Sequence, residues 1–243
     1  RKKTKKNSSI IVYAKKEKIK NLLIYDSINK LLIKRKILAP KLFSENFSKN
    51  YIEIEDFGNK TVFDVLSKKR ANRLTIYKKI LIILLKLQKI KTRKIKNFKK
   101  RNYRIPNYSK KIIFDESNLF LKWYVPNVVN KNKRYKVIKE LKKIITSLIN
   151  KIQLPNNIFV HRDFHVSNLM YFKNKIGVID SQDALIGNKA YDLASLIDDV
   201  RFKTSNKLKN KLYNYYLKTN KKIKVNKFKN DFEILSVLRN LKI

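Results

Sequence analysis

The chain contains two histidines, and both lie in the stretch His-Arg-Asp-Phe-His-Val-Ser-Asn at 161–168. Twelve residues beyond Asn168, closing the segment Val178-Ile179-Asp180, stands another oxygen-bearing side chain. Asp163, Asn168 and Asp180 at this spacing suit phosphoryl transfer from ATP. That reaction needs little covalent help: a base to orient the acceptor hydroxyl, and oxygen ligands for magnesium on the phosphates. A loop aspartate, Asp163, supplies the base. Asn168, where the chain enters a strand, supplies a neutral amide oxygen, and Asp180 at a strand end supplies the anionic ligand. Magnesium takes few protein oxygens and keeps phosphate and water for its remaining positions. The alternative use of the histidines, a His-x3-His zinc site, would need a helix and a third ligand. His165 stays open between facing a ligand and packing in the loop.

The elements that must hold these residues can be read from periodicity. Residues 9–14, short and β-branched, predict a strand. Residues 17–37 place Leu22, Leu23, Ile28, Leu31, Leu32 and Ile33 near helical spacing, with Pro40 shortly beyond. Lys41-Leu42-Phe43 and residues 50–57 read as strands, broken by Gly58 and Asn59. Thr61 is a candidate cap for a short helix, and a long apolar helix follows over about 71–92. A lysine-rich connector containing Pro106 comes next. Asp115 is the expected cap of a helix that Pro126 ends. Residues 133–152 form an amphipathic helix. Past Pro155 the pattern becomes strand, loop, strand, turn at Asn174-Lys175, strand, and helical periodicity resumes from 189 to the last residue. The reactive types thus fall on loops of a hairpin embedded among helices, where a rigid scaffold can present them.

Composition narrows the function classes. The 243 residues, 43% of them hydrophobic, can build a core. There is no cysteine, which removes disulfides and thiol nucleophiles and suits a reducing cytosol. The longest apolar-rich stretch, Ile80 to Ile90, is about half a bilayer span and carries lysines, so a soluble cytoplasmic protein without a membrane partner is expected. Sixty basic residues against eighteen acidic give +42. Such charge binds polyanions without sequence preference, but lysine is spread through every segment and arginine, the base-reading residue, is sparse. No specific nucleic-acid partner is expected. Against this background six aspartates crowd into 163–199 (Asp163, Asp180, Asp183, Asp192, Asp198, Asp199) with no glutamate among them.

The loop resembles the catalytic loop of protein-kinase-like enzymes, and more closely that of the aminoglycoside/choline phosphotransferase family. Within that family, Phe159–Tyr171 together with Gly177–Asp199 resembles the bacterial kinases that phosphorylate N-acetylmuramate and N-acetylglucosamine at the anomeric carbon. Residues 9–18, 51–66, 114–125 and 237–243 are similar to further segments of those kinases, so the resemblance runs over nearly the whole chain. It implies an α+β, protein-kinase-like bilobal fold. Residues 1–57 would form a partial small lobe on the nucleotide side. Residues 58–243 would form a mainly helical large lobe holding the catalytic loop 161–168 and the metal-binding strand end 176–183. It implies ATP and Mg2+ as cofactors, with Asp163 as base and Asn168 and Asp180 as metal ligands. His161 and Arg162 would brace the loop. Glu53, Ile54, Glu55 and Asp56 would lie along the adenine, mostly through backbone groups, and Asp183 and Asp192 would hold the following loop and helix.

Where a protein kinase has Asp-Phe-Gly, this chain has Asp180-Ser181-Gln182. It also has no Ala-Pro-Glu motif, no glycine-rich hairpin, and only Lys15 and Lys16 near the position of a phosphate-contacting lysine. A protein acceptor is therefore disfavoured. With few residues ahead of the first strand and an end within a family-like helix, a fragment short at both ends is expected, and activity is expected of a longer parent. The expected function is ATP- and magnesium-dependent phosphorylation of a small-molecule hydroxyl, foremost the anomeric hydroxyl of an N-acetyl amino sugar in cell-wall recycling. The alternatives are an aminoglycoside, choline or homoserine acceptor, or a non-catalytic nucleotide-binding protein. Trp123 and the tyrosines could stack on a sugar or pack. Asp198, Asp199, Arg201 and Arg239 could line a pocket or pair with one another.

Overall fold

The computed structural model describes residues 2–3, 8–68, 70–220 and 222–242. Residues 1 and 243, the outer limits of the expected lobes, lie outside the described residues, as do residues 4–7 ahead of the first expected strand.

In chain order, the strands β1 (Lys2–Lys3) and β2 (Ser8–Tyr13) lead through a 3-10 turn at Lys16–Lys18 to the helix α1 (Lys20–Lys34). The strands β3 (Leu42–Asn46) and β4 (Tyr51–Glu55) follow, then the helices α2 (Val62–Ser67) and α3 (Arg73–Gln88). A hairpin, β5 (Lys94–Lys96) and β6 (Asn102–Arg104), leads to α4 (Lys110–Leu119), a π turn at Phe120–Tyr124 and α5 (Val125–Val128). After α6 (Lys131–Asn150) come β7 (Ile158–Val160), β8 (Leu169–Phe172), β9 (Lys175–Val178) and β10 (Leu185–Gly187). The helices α7 (Tyr191–Ile197), α8 (Asn206–Thr219) and α9 (Val225–Asn240) complete the order.

The chain divides into two compact units of interleaved segments, residues 1–106 with 161–185, and residues 107–160 with 186–243. A lobe boundary at residue 57 is a proposal about kinase architecture; the units group residues by packing and include both hairpins with the sheet.

In the first unit the sheet runs β1-β2-β4-β3. β4 pairs antiparallel with both neighbours, Ile10 opposite Ile54 and Glu45 opposite Ile52. Its alternation is what period two demands: Ile52 and Ile54 point inward and Tyr51, Glu53 and Glu55 point away. Ile52, Ile54 and Leu22 of α1 form a small core, on which Ile10, Val12, Tyr25 and Phe98 pack. Removing each isoleucine side chain from water contributes roughly 1.5–3 kcal/mol. α1 stops at Arg35–Ile37 in a Schellman arrangement: Lys36 takes φ 57, and the Ile37 N–H donates to the Leu32 carbonyl at 3.0 Å.

Four local expectations are corrected. The lysine-rich connector folds as the hairpin β5–β6, anchored by Phe98 in the core and its edge contact with Phe47. Ser109, not Asp115, caps α4, its hydroxyl accepting from the Ile112 N–H at 3.2 Å. A cap works only where the chain enters the helix, and Asp115 sits inside. Pro126 does not end this helix, because the preceding turn widens: Val125 N–H reaches the Phe120 carbonyl, accommodating a proline in the next turn. The β8–β9 turn is centred on Lys173 and Asn174, φ 46 and 59, the mirror-image turn that matches strand twist.

In the second unit α7 and α9 pack together. Asp231, fully buried on α9, accepts from the backbone N–H groups of Gln153 and Leu154, each at 2.8 Å, and from Asn188 at 2.7 Å. Buried Arg239 donates to Ser195 at 2.7 Å and lies 3.7 Å from Asp199, which Arg201 grips through both oxygens. Asp198 pairs with Lys209. Of the two uses open to Asp198, Asp199, Arg201 and Arg239, the structure shows pairing. Trp123 is exposed. Among the described residues no helix is long and apolar enough to cross a membrane.

Candidate active site

The loop 161–168 and the hairpin that follows it lie entirely in the first unit. β8 and β9 are locked in register from Leu169 opposite Val178 to Phe172 opposite Lys175, which brings the two ends of the hairpin, Asn168 and Ile179, side by side. There the Ile179 N–H donates to the Asn168 carbonyl at 3.1 Å. The hairpin is fastened to the rest of the unit by Tyr171 N–H on the Lys60 carbonyl and Val178 N–H on the Leu38 carbonyl, each 2.8 Å.

This register brings Asp163, Asn168 and Asp180 together. The Asn168 amide Nδ2 points at the Asp163 carbonyl at 3.1 Å, His165 Nε2 at 3.3 Å and the Asp180 carboxylate at 3.3 Å. With the nitrogen turned to these acceptors, Oδ1 is the amide atom left for a cation. Asp180 is exposed and takes a second amide, from Gln182, at 2.9 Å. Among the described residues no group of three or more His, Cys, Asp or Glu could hold a metal ion. Asn168 and Asp180 offer a set of one amide oxygen and one carboxylate. That set fits magnesium carried on phosphates and does not fit a protein-caged ion.

Two more loop residues are bonded around it. His161 is fully buried and donates from Nε2 to the Ile179 carbonyl at 3.1 Å. Burial holds its imidazole below the usual value, against the opposing pull of Asp163 and Asp180. Arg162 bonds Asp183 at 3.3 Å and has φ 79, while Asp180 has φ 61. Left-handed backbone at a residue with a Cβ costs on the order of 1 kcal/mol and persists where neighbours over-determine it. Here the two such residues flank the Asp163–Asn168 segment.

A cavity of about 660 Å³ opens beside this cluster within the same unit. Asn168, Asp180 and Gln182 form one wall; Ile10, Val12 and Ala14 of the sheet side, Ile54 and Glu55 of β4, and Phe57 and Gly58 form others. Glu55 is the last residue of the β4 ladder, and the chain leaves the sheet at Asp56–Gly58. Gly58 has φ 79, which favours glycine, and its N–H bonds Asp56 at 2.8 Å. Gly177 serves differently: a Cβ there would stand 2.5 Å from the Phe57 ring, so a bare backbone is what lets this cavity residue lie on the hairpin and stack on Phe172.

Of the expected adenine-side residues, Ile54 and Glu55 line the cavity. Glu53 does not; it accepts from Ser9 at 2.5 Å and Ser44 at 3.1 Å. Asp56 is buried in the turn. Lys15 reaches the cavity and Lys16 does not. The sequence reading missed Lys18, Asn21 and Tyr25, which also line it. Their spacing with Leu22 is helical, and that is the signal that could have found them. Burial pushes the Tyr25 hydroxyl up to about 12, with Asn29 lowering it and Asp180 raising it further. Asp163 is half-buried and lies outside the cavity lining. Asp192 is buried in α7 of the second unit.

Residues 61–223 match the family described as "Phosphotransferase enzyme family". Two curated relatives are N-acetylmuramate/N-acetylglucosamine kinases from Neisseria meningitidis and Pseudomonas aeruginosa. Each is 27% identical over 161 residues, 66% of this chain and 46% and 44% of their own lengths. The chain thus spans about half the length of the curated relatives it matches. An aminoglycoside phosphotransferase from Streptomyces rimosus, solved with ADP and streptomycin, superimposes with a TM-score of 0.66 at 10% identity, covering 97% of this chain and 87% of that one. A Plasmodium vivax ethanolamine kinase gives 0.66 at 17%, covering 98% and 69%. These likenesses establish a kinase-like α+β fold.

Proposed function

Because the chain belongs to the phosphotransferase enzyme family, we propose that it carries the nucleotide and catalytic machinery of an ATP- and magnesium-dependent small-molecule kinase. The observation that carries this is the meeting of Asp163, Asn168 and Asp180 beside a cavity walled by sheet, lysines and the β4 exit. The adenine lies against Ile10, Val12 and Ile54, an apolar slot, with the backbone of Glu55–Gly58 at its edge. Glu53 and Asp56 stabilise that edge from outside the cavity. Lys15 and Lys18 face the phosphates. Asn168 and Asp180 would hold magnesium, which when bound would offset charge on the transferred group. Asp163 orients the acceptor hydroxyl and takes its proton as the oxygen bonds to the γ-phosphorus of ATP, whose bond to the bridging oxygen breaks and releases ADP. His161 and Arg162 keep the loop in its strained form.

The acceptor we favour is the anomeric hydroxyl of an N-acetyl amino sugar. It is more acidic than an ordinary sugar hydroxyl, which eases the work of a carboxylate base, and the curated relatives are named as kinases of N-acetylmuramate and N-acetylglucosamine. The fold neighbours favour a second reading, a cationic acceptor such as an aminoglycoside or ethanolamine. A recycling role in the cytoplasm belongs to the first reading. The test is ATP consumption with magnesium against N-acetylmuramate, N-acetylglucosamine, plain hexoses, choline, homoserine and an aminoglycoside. Turnover on the N-acetyl sugars, giving an acid-labile 1-phosphate, is expected. Turnover confined to another acceptor would discard the substrate and keep the mechanism. Magnesium-ATP binding without turnover on any of them would favour a non-catalytic nucleotide-binding protein.

A further inference from the structure

One face of α1 meets the site twice. Asn21, Leu22 and Tyr25 line the cavity, with Lys18 in the 3-10 turn just ahead. One turn further, at the i+4 position from Tyr25, stands Asn29. Its side chain is committed at both ends. Oδ1 accepts from the Ser181 hydroxyl at 2.7 Å, and Nδ2 donates to the Pro40 carbonyl at 3.2 Å. Asn29 is 3% exposed and Ser181 is fully enclosed, so no solvent competes for this bond.

Ser181 directly follows Asp180, whose φ of 61 places its carboxylate at the cavity wall. The residue before Asp180 is tied through both backbone groups, Ile179 N–H to the Asn168 carbonyl and Ile179 carbonyl to His161. The residue after it is tied to α1 through the Ser181 hydroxyl. The segment 38–40 closes the frame, taking Val178 N–H on the Leu38 carbonyl and Asn29 on that of Pro40. A left-handed residue between two fixed ones has the direction of its Cα–Cβ bond set, and with it the origin of its side chain. If the second tie is released, the turn can relax toward ordinary backbone and carry the carboxylate with it.

We propose that the buried Ser181–Asn29 hydrogen bond is a positioning device for Asp180: helix α1, through Asn29, holds the metal-binding carboxylate in place without touching the metal. This rests on the reading of Asp180 as a magnesium ligand. Ser181 and Asn29 are positioning residues, and the effect of the bond between them belongs to magnesium affinity.

The experiment measures ATP binding by the wild-type protein and Ser181→Ala, with a magnesium titration and again with chelator, alongside melting temperature. Loss of a bond supporting a metal ligand is expected to raise the magnesium concentration for half-maximal ATP binding by about 10-fold. Metal-free ATP binding is expected to stay within about two-fold. An unchanged magnesium requirement overturns the proposal, and so does a parallel loss of metal-free binding, the mark of a merely structural role. Ser181→Cys, which leaves no cavity and weakens the donor, carries the same test if the alanine variant does not fold: a raised requirement supports the proposal and an unchanged one overturns it. Wild-type ATP binding that ignores magnesium would overturn the metal assignment itself, and this inference with it.

Discussion

Asp180 stands between two side-chain amides, Asn168 at 3.3 Å and Gln182 at 2.9 Å, in a backbone conformation that few aspartates adopt. Replacing it with alanine removes the one anionic donor of the proposed metal pair and leaves the apolar adenine slot intact. Asp180→Ala is therefore expected to weaken magnesium-dependent ATP binding by at least about ten-fold while metal-free ATP binding holds, as read by calorimetry with and without chelator. Survival of the magnesium effect would contradict the ligand assignment. Asp163, Asn168 and Asp180 were legible in the sequence because they stand out from a lysine-, isoleucine- and asparagine-rich background, at a spacing one reaction explains. Asn29 and Ser181 were not. A lone asparagine in a helix and a lone serine in a loop carry no pattern until the fold sets them 2.7 Å apart.

The elements that frame the site owe their placement to local chemistry. α2 begins directly after the β4 exit, and its first turn is a complete capping box: Thr61 Oγ1 accepts from the Asp64 N–H at 3.1 Å, and Asp64 accepts from the Thr61 N–H at 2.9 Å. Thr61 also bridges Met170 at the start of the β8–β9 hairpin. Thr61→Ala is expected to cost about 1 kcal/mol in denaturant unfolding, the usual worth of such a cap. No loss at all would mean that the box contributes nothing. This cap was readable from sequence, as were the β4 alternation and the helices around it, because each follows from a period or a capping residue. The β5–β6 hairpin was not. Its strands are Lys-Ile-Lys and Asn-Tyr-Arg, without an apolar run, and it is held by Phe98 and the Lys99–Glu45 pair, contacts made far along the chain. The division into packing units was hidden for the same reason: the β8–β9 hairpin joins the segments beside the sheet by bonds to Leu38 and Lys60, more than a hundred residues earlier.

For the whole molecule, a charge of +42 makes each buried carboxylate a potential stability switch. Burial pushes the Asp199 carboxyl up, but hydrogen bonds from Arg201 and the charges of Arg239 and Arg201 outweigh it, and the group is held below 3.8. A depressed folded-state value means that the unfolded chain binds the proton first. The stabilisation is thus present above 3.8 and is lost as pH falls through the lower folded value. Asp199→Asn is expected to flatten the acid limb of the melting-temperature profile below about pH 4. An unaltered limb would show that the arginine pair adds no pH-dependent stability.

The proposed function requires the loop bearing Asp163 to perform general-base chemistry for a magnesium-bound nucleotide. The most direct measurement is turnover and ATP affinity of Asp163→Asn beside the wild-type protein, on the acceptor that the wild type uses. The account predicts a fall in turnover of about 10²–10⁴-fold with ATP affinity nearly unchanged. Turnover close to that of the wild type would contradict it.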